Sequence, residues 1–303
     1  MRILITGSNG FLGQKFIELI KKENRNIEIL GLSKSRNRNP YLTEEEFKQI
    51  DLTNFTELNE ILKSFHPSHI LHCAAITSVE ACEENKELAD IVNVDLTLML
   101  GNFCKANDCH FTFISTDFVF DGNKGPYTEN DKTNPVNYYG FTKLKAEIEL
   151  SKIAADIAIL RTILVYGAIA DKGRSNLVLW AKSQLEQEKS IKVVADQWRM
   201  PTWVDDLAKA CISSINTNAT GIFHISGSEL MTIAEAVEII ADTWNFNKKL
   251  ISKISAKDIG QDKNRPKKTG FILDKAKNIL NYTPTPFVVS LQQIKDQLIA
   301  YNR

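Results

Sequence analysis

Arg2-Ile-Leu-Ile-Thr-Gly-Ser-Asn-Gly-Phe-Leu-Gly13 decides the fold. An apolar run of strand length meets three glycines and then an amphipathic stretch, Phe11–Lys22. Gly7 lets the chain turn sharply out of the strand. Gly10 leaves no side chain between backbone and a diphosphate, and Gly13 lets the next helix pack close to a sheet. The helix start behind them offers unpaired N–H groups and a partial positive charge to phosphate oxygens. Glycines also collect in ordinary turns, so position carries the argument: this triplet follows a strand and opens a helix. The segment reads as a dinucleotide-binding turn.

Downstream, Ile27–Leu32, His69–Cys73, Cys109–Ser115 and Ile157–Arg161 read as further strands. Helical stretches separate them at Thr53–Phe65, with Thr53 as the cap, at Leu88–Lys105 and at Asn137–Ser151. Such alternation predicts right-handed βαβ units and a parallel sheet, with ligands at the carboxyl ends of its strands. Past Tyr166 the rhythm loosens, with helices near Asn176–Gln187, Val204–Ser214, Thr232–Trp244 and Ser290–Tyr301. Strands are expected there at Ile191–Val194 and Gly221–Ser226, and Lys248–Lys268 reads as a solvated surface connection. The expected fold is α/β: a Rossmann-type doubly wound parallel sheet over residues 1–165, rejoined by 196–226. A smaller C-terminal α/β substrate lobe takes 166–195 and 227–303.

Composition narrows the setting. The chain has 303 residues, of which 43% are hydrophobic and 24% charged, with 37 basic residues balanced by 37 acidic ones. A net charge of zero argues against bulk attraction to nucleic acid or an anionic membrane. No apolar run reaches the ~20 residues of a membrane-spanning helix, and the first residues do not read as a secretory leader. Five scattered cysteines suit free thiols in a reducing compartment, so a cytoplasmic protein is expected. His66, His69, His72, His110 and His224 show no metal-ligand spacing, and no metal is expected.

Two further clusters carry chemistry. The second strand ends at Leu32-Ser33 and is followed by Lys34, Arg36 and Arg38, where NAD-binding folds usually place an acid. A hydroxyl and cations favour a 2′-phosphate, which predicts NADPH, with NADH still usable. Among seven tyrosines, only Tyr139 has a lysine four residues on, Lys143, so the two share a helix face. A nearby ammonium should lower the phenol's pKa and suit it to general acid work. The fourth expected strand runs into Ser115-Thr116-Asp117, whose hydroxyl would point into the crevice.

Gly7–Gly13, Ser115-Thr116 and Tyr139-Gly-Phe-Thr-Lys143 together resemble an extended short-chain dehydrogenase/reductase, and more narrowly the dTDP-4-dehydrorhamnose reductase family. Ile114–Gly122, Asn137–Glu147, Leu160–Thr162, Val165–Gly167, Asp196-Gln197 with Pro201-Thr202, and Arg265-Pro266 with Leu273-Asp274 extend the likeness across nearly the whole chain. The resemblance implies reduction of a nucleotide-activated 4-keto-6-deoxy sugar, in the making of surface-polysaccharide precursors such as dTDP-L-rhamnose. It implies that Thr116 binds the sugar oxygen, Tyr139 delivers the proton and Lys143 holds the nicotinamide ribose. Gly7, Gly10, Phe11 and Leu12 would lie under the diphosphate, Asp51-Leu52 would meet the adenine, and Cys73-Ala74-Ala75 with Thr77 would line the cofactor. Asp117, Gln197, Pro201 and Thr202 would face the substrate.

Two departures blur the sugar's identity: Leu164 stands where the family usually has tryptophan, and Phe118 where it has an aromatic hydroxyl. Phe118 after Asp117 also lacks the second carboxylate of the related dehydratases. A different branch of the family comprises non-catalytic regulatory subunits of methionine adenosyltransferase, and Gly221–Thr232 resembles that branch at least as well. An epimerase is a third reading. The oligomeric state stays open, a homodimer among the assemblies allowed.

Overall fold

The computed structural model describes residues 1–23, 27–153, 155–171, 173 and 175–301; residues 302 and 303, the end of the expected lobe, lie outside the described residues. The first strands are β1 (Arg2–Thr6), β2 (Glu28–Ser33), β3 (Phe47–Gln49), β4 (His69–His72), β5 (His110–Thr116) and β6 (Ile157–Thr162). Short β7 (Val165–Tyr166), β8 (Ile191–Val194), β9 (Trp198–Arg199) and β10 (Thr202–Trp203) precede β11 (Gly221–Ile225), β12 (Met231–Thr232) and β13 (Ile251–Ile254). Helices α1 (Phe11–Lys22), α2 (Phe55–Phe65), α3 (Val79–Glu84), α4 (Lys86–Asp90), α5 (Leu96–Ala106) and α6 (Tyr138–Leu150) belong to the first half. The second half supplies α7 (Leu177–Glu186), α8 (Val204–Asn216), α9 (Ile233–Trp244), α10 (Asp274–Leu280) and α11 (Phe287–Tyr301).

Seven strands form one parallel sheet in the order β11-β6-β5-β4-β1-β2-β3. Side chains alternate across it: Ile3 and Ile5 join a core with α1 and α8, while Leu4 joins another with α2, α5 and α6. Both faces are covered, which is why the strands read as nearly unbroken apolar runs. Each buried Leu or Ile there contributes roughly 1.5–3 kcal/mol. The order reverses at β1, which has β2 on one side and β4 on the other, and a crevice opens beyond those strand ends. A third core is made by α7, α9, α11 and β8.

Four details depart from the sequence reading. β3 was not expected; it is three residues long and gains its place by pairing Gly31–Ser33 of β2. Asn54, not Thr53, caps α2, accepting from the Glu57 amide, while Thr53 donates to Asp51. The expected helix Leu88–Lys105 begins earlier and carries a π-helical turn at Ile91–Asp95 between α4 and α5. The tract Lys248–Lys268 is no mere surface connection: it contains β13, paired with β8, and then runs to the crevice. None of the described helices is long and apolar enough to cross a membrane.

Candidate active site

A cleft of about 910 Å3 lies at the carboxyl ends of β1, β2, β4 and β5. Its floor is the glycine turn. Gly7 has a φ of +70°, the left-handed region that favours glycine. A Cβ on Gly10 would stand 2.8 Å from the Gly7 carbonyl oxygen, and one on Gly13 only 2.5 Å from it. Gly10 caps α1 without any side-chain hydrogen bond, so the helix start is left to a ligand. A larger residue at either position would push against the turn's own backbone and open it, whereas the glycine turn as it stands can take a diphosphate. Gly7, Gly10, Phe11 and Leu12 line the cleft; Gly13 sits behind them as a packing residue.

At the end of β2, Ser33, Lys34, Asp51 and Leu52 line the same cleft. The Asn9 backbone N–H donates to Ser33 Oγ at 3.2 Å, and its amide side chain donates to the Arg36 carbonyl at 2.8 Å. Asn9 therefore pins the β2 loop to the glycine turn. Lys34 Nζ pairs with Asp51 at 2.8 Å, and that hydrogen bond holds the Asp51 carboxyl down to about 2. Arg36 is exposed and outside the lining, and Arg38 leans on Asp171 at 3.8 Å. The basic cluster is real but partly engaged.

Cys73, Ala74, Ala75 and Thr77 form the next wall, after β4. Burial pushes the Cys73 thiol up to about 12, which favours the neutral thiol over the thiolate. Asn93, in the π-turn, holds this wall: it accepts from the Ile76 N–H at 2.9 Å and donates to Thr142 Oγ1 at 3.0 Å. Such turns often mark functional sites.

Thr116, Tyr139 and Lys143 meet at the centre. Thr116 ends β5, and Asn137 caps α6 by accepting from the Gly140 amide, which sets Tyr139 and Lys143 on its inner face. Gly140 permits the close approach, since a Cβ there would lie 2.1 Å from the Phe118 carbonyl oxygen. Thr116 and Tyr139 line the same cleft, and burial raises the Tyr139 phenol above its usual range. The direction is opposite to the lowering expected from Lys143, which is not among the groups that shift the phenol, so Tyr139 is a protonated donor. Lys143 sits 4.0 Å from the Phe113 ring centroid, and burial pulls its ammonium down to about 7, with Glu147 opposing.

The far end holds Asp117, Phe118, Leu164, Gln197, Arg199 and Arg265. Asp117 accepts from Thr269 Oγ1 at 2.5 Å and lies 3.9 Å from the Arg199 guanidinium, yet burial still raises its carboxyl. Arg199 donates to the Trp198, Pro266 and Lys267 carbonyls. Gln197 Nε2 and Arg265 Nε are buried without a protein partner, which suits polar groups awaiting a ligand. Leu164 holds a φ of +38°, an uncommon conformation for a leucine. Pro201 and Thr202 do not line the cleft: Thr202 is fully buried and donates to the Ile163 carbonyl at 2.7 Å, bracing this wall from behind.

Sequence reasoning missed Arg199, Gln261 and Arg265 as lining residues. The Arg265-Pro266 pair was a signal, but composition classed its surroundings as solvated. No group of residues suited to a metal ion occurs among the described residues.

A family described as the RmlD substrate binding domain matches residues 1–299. The chain belongs to that family. Methionine adenosyltransferase 2 subunit beta of Danio rerio is 31% identical to this RmlD-family chain over 270 residues, 88% of this chain and 80% of its own. The probable low-salt glycan biosynthesis reductase Agl14 of Haloferax volcanii is 28% identical over 278 residues, covering 89% of each. Among solved structures, dTDP-4-dehydrorhamnose reductase from Bacillus anthracis, in complex with NADP, superposes with a TM-score of 0.83 at 25% identity, covering 98% of this chain and 99% of that one. The RmlD family thus spans both a reductase and a protein named as a subunit.

Proposed function

We propose that this chain reduces a nucleotide-activated 4-keto-6-deoxy sugar with NADPH, as a step toward surface-polysaccharide precursors. The observation that carries the reading is the Thr116–Tyr139–Lys143 group, standing in one cleft with an intact glycine cradle. A bound NADPH supplies the hydride. Thr116 and Tyr139 hydroxyls hold the sugar's carbonyl oxygen, and Tyr139 delivers the proton as negative charge develops there. Gly7, Gly10, Phe11 and Leu12 support the diphosphate, with Gly13 packed behind them; Asp51 and Leu52 take the adenine; Cys73, Ala74, Ala75 and Thr77 form the cofactor wall. Ser33, Lys34 and Arg36 receive the 2′-phosphate, with NADH as a weaker substitute. Asp117 and Gln197 face the sugar, braced by Pro201 and Thr202, while residues 166–195 and 227–303 form the substrate lobe.

The test is NADPH oxidation by the purified chain with a set of dTDP-, GDP- and UDP-linked 4-keto sugars. At least one should be reduced, and Tyr139→Phe should lose about 10²–10⁴-fold in turnover while still binding NADPH. Silence toward every sugar would sink the reading. A second reading follows from the Danio rerio relative: a non-catalytic NADP-binding regulatory subunit of a methionine adenosyltransferase. Co-purification with that enzyme, together with inertness toward sugars, would favour it.

A further inference from the structure

Directly beneath the Thr116–Tyr139–Lys143 group lies a buried charge network that the reaction above does not use. Glu147 is one helical turn beyond Lys143 on α6, so the two side chains share a face. Its carboxylate accepts from Ser115 Oγ at 2.5 Å, the residue just before Thr116 on β5. It also receives Arg161, from β6, in a forked pair: Nε at 3.0 and 3.1 Å, Nη2 at 2.6 Å. Arg161 Nη1 then reaches His224 Nε2, on β11, at 3.3 Å. Ser115, Glu147 and Arg161 are 2–3% exposed and His224 is fully buried.

A buried ion pair is a costly way to stabilise a fold, since apolar residues of similar shape often do as well. What Glu147 does provide is a carboxylate one helical turn from Lys143, fixed in place by its own counter-ion Arg161. The other groups facing Lys143 are the Tyr139 phenol, the His72 imidazole at the end of β4, the Cys73 and Cys82 thiols and the Phe113 ring. Burial keeps both thiols protonated and the imidazole neutral, so none of these others carries a charge at neutral pH.

We propose that Glu147 is a positioning residue, a counter-charge held by Arg161 that keeps Lys143 in its ammonium form beside the cofactor. This rests on the dinucleotide reading of the cleft but not on the identity of the sugar. Burial alone pulls Lys143 toward its neutral form, and Glu147 opposes that pull.

The test is NADPH affinity as a function of pH, followed by nicotinamide fluorescence without any sugar. Wild type should bind more weakly as pH rises through the loss of the Lys143 proton, and Lys143→Met should abolish that basic limb. Glu147→Gln alone would strand a buried guanidinium, so the informative variant is E147Q/R161M, which removes both charges. Its limb should move to lower pH by roughly one unit. Glu147→Asp, which keeps the pair but withdraws the carboxylate, should move it less in the same direction. A folded E147Q/R161M with an unmoved limb overturns the proposal, as does a limb that survives in K143M. If the double variant does not fold, an unmoved limb in E147D overturns it instead. Failure of wild type to bind NADPH at all would overturn the dinucleotide reading, and this proposal with it.

Discussion

Ser33 stands at the last residue of β2, facing the cleft, with its hydroxyl accepting the Asn9 N–H. The position lacks a carboxylate, and Lys34 beside it pairs with Asp51 in an exposed, salt-screened contact that a phosphate could displace. Ser33→Asp should therefore repel a 2′-phosphate and shift preference from NADPH toward NADH. The ratio of the two dissociation constants measures it, and an unmoved ratio would disprove the placement of the 2′-phosphate. At this scale the sequence was most legible where chemistry is local. Gly7, Gly10, Tyr139 and Lys143 announce themselves by spacings within one turn or one helix. Arg199 and Arg265 do not, because they reach the cleft from segments whose approach depends on lobe packing: Arg199 is fastened to the Pro266 and Lys267 carbonyls, 67 and 68 residues away. The raised Tyr139 phenol is hidden for the same reason: spacing shows a neighbouring lysine but not the desolvation around the hydroxyl.

Among the elements, α9 shows how a short sequence signal fixes a helix start. Thr232 Oγ1 accepts from the Glu235 amide at 3.1 Å, and the Glu235 carboxylate accepts from the Thr232 amide at 2.7 Å. Both orphan donors are satisfied reciprocally. The next residue, Ile233, lines the cleft, so the cap also places one of its walls. Thr232→Ala should cost about 1 kcal/mol, a fall in Tm of roughly 2–4 °C. A melting temperature equal to wild type would show that the Glu235 half suffices. Long helices and buried parallel strands were legible because their periodicity runs over many residues. β3 was not, since its residues Phe47–Gln49 carry no alternation of their own and become a strand only against β2. The π-turn at Ile91–Asp95 was hidden by a pattern that reads equally well as a continuous helix. β13 was hidden by its lysine-rich surroundings, though its register with β8 is regular over four residue pairs.

Taken whole, the molecule buries four of its five histidines in neutral form. His72 is bracketed by hydroxyls, Thr6 Oγ1 at 2.6 Å and Thr97 Oγ1 at 3.0 Å. Thr97 already donates to the Asn93 carbonyl, so it accepts from Nε2–H, and Nδ1 accepts from Thr6. His224 donates from Nδ1 to the Tyr127 carbonyl and accepts from Arg161 at Nε2. A proton added there would face a guanidinium. Burial holds both imidazoles down to about 3, and lowers His69 and His110 as well. The unfolded chain, with histidines near 6.5, takes up these protons first. The stability they represent is therefore complete above about pH 6.5 and lost as pH falls toward the depressed values. His72 and His224 each remove up to about 1.4 kcal/mol per pH unit over that window. Asp117 and Asp205, whose carboxyls burial raises, act in the opposite sense and offset part of the loss. His69 and His110, both lowered by burial, deepen the loss. Below pH 6.5 these imidazoles should make the urea midpoint fall, down to pH 5 and well before ordinary carboxylates titrate. His72→Gln and His224→Gln, measured against wild type at pH 8 and pH 5, should each narrow the gap between the two midpoints. If neither variant narrows the gap between pH 8 and pH 5, these imidazoles are not held neutral in the folded chain.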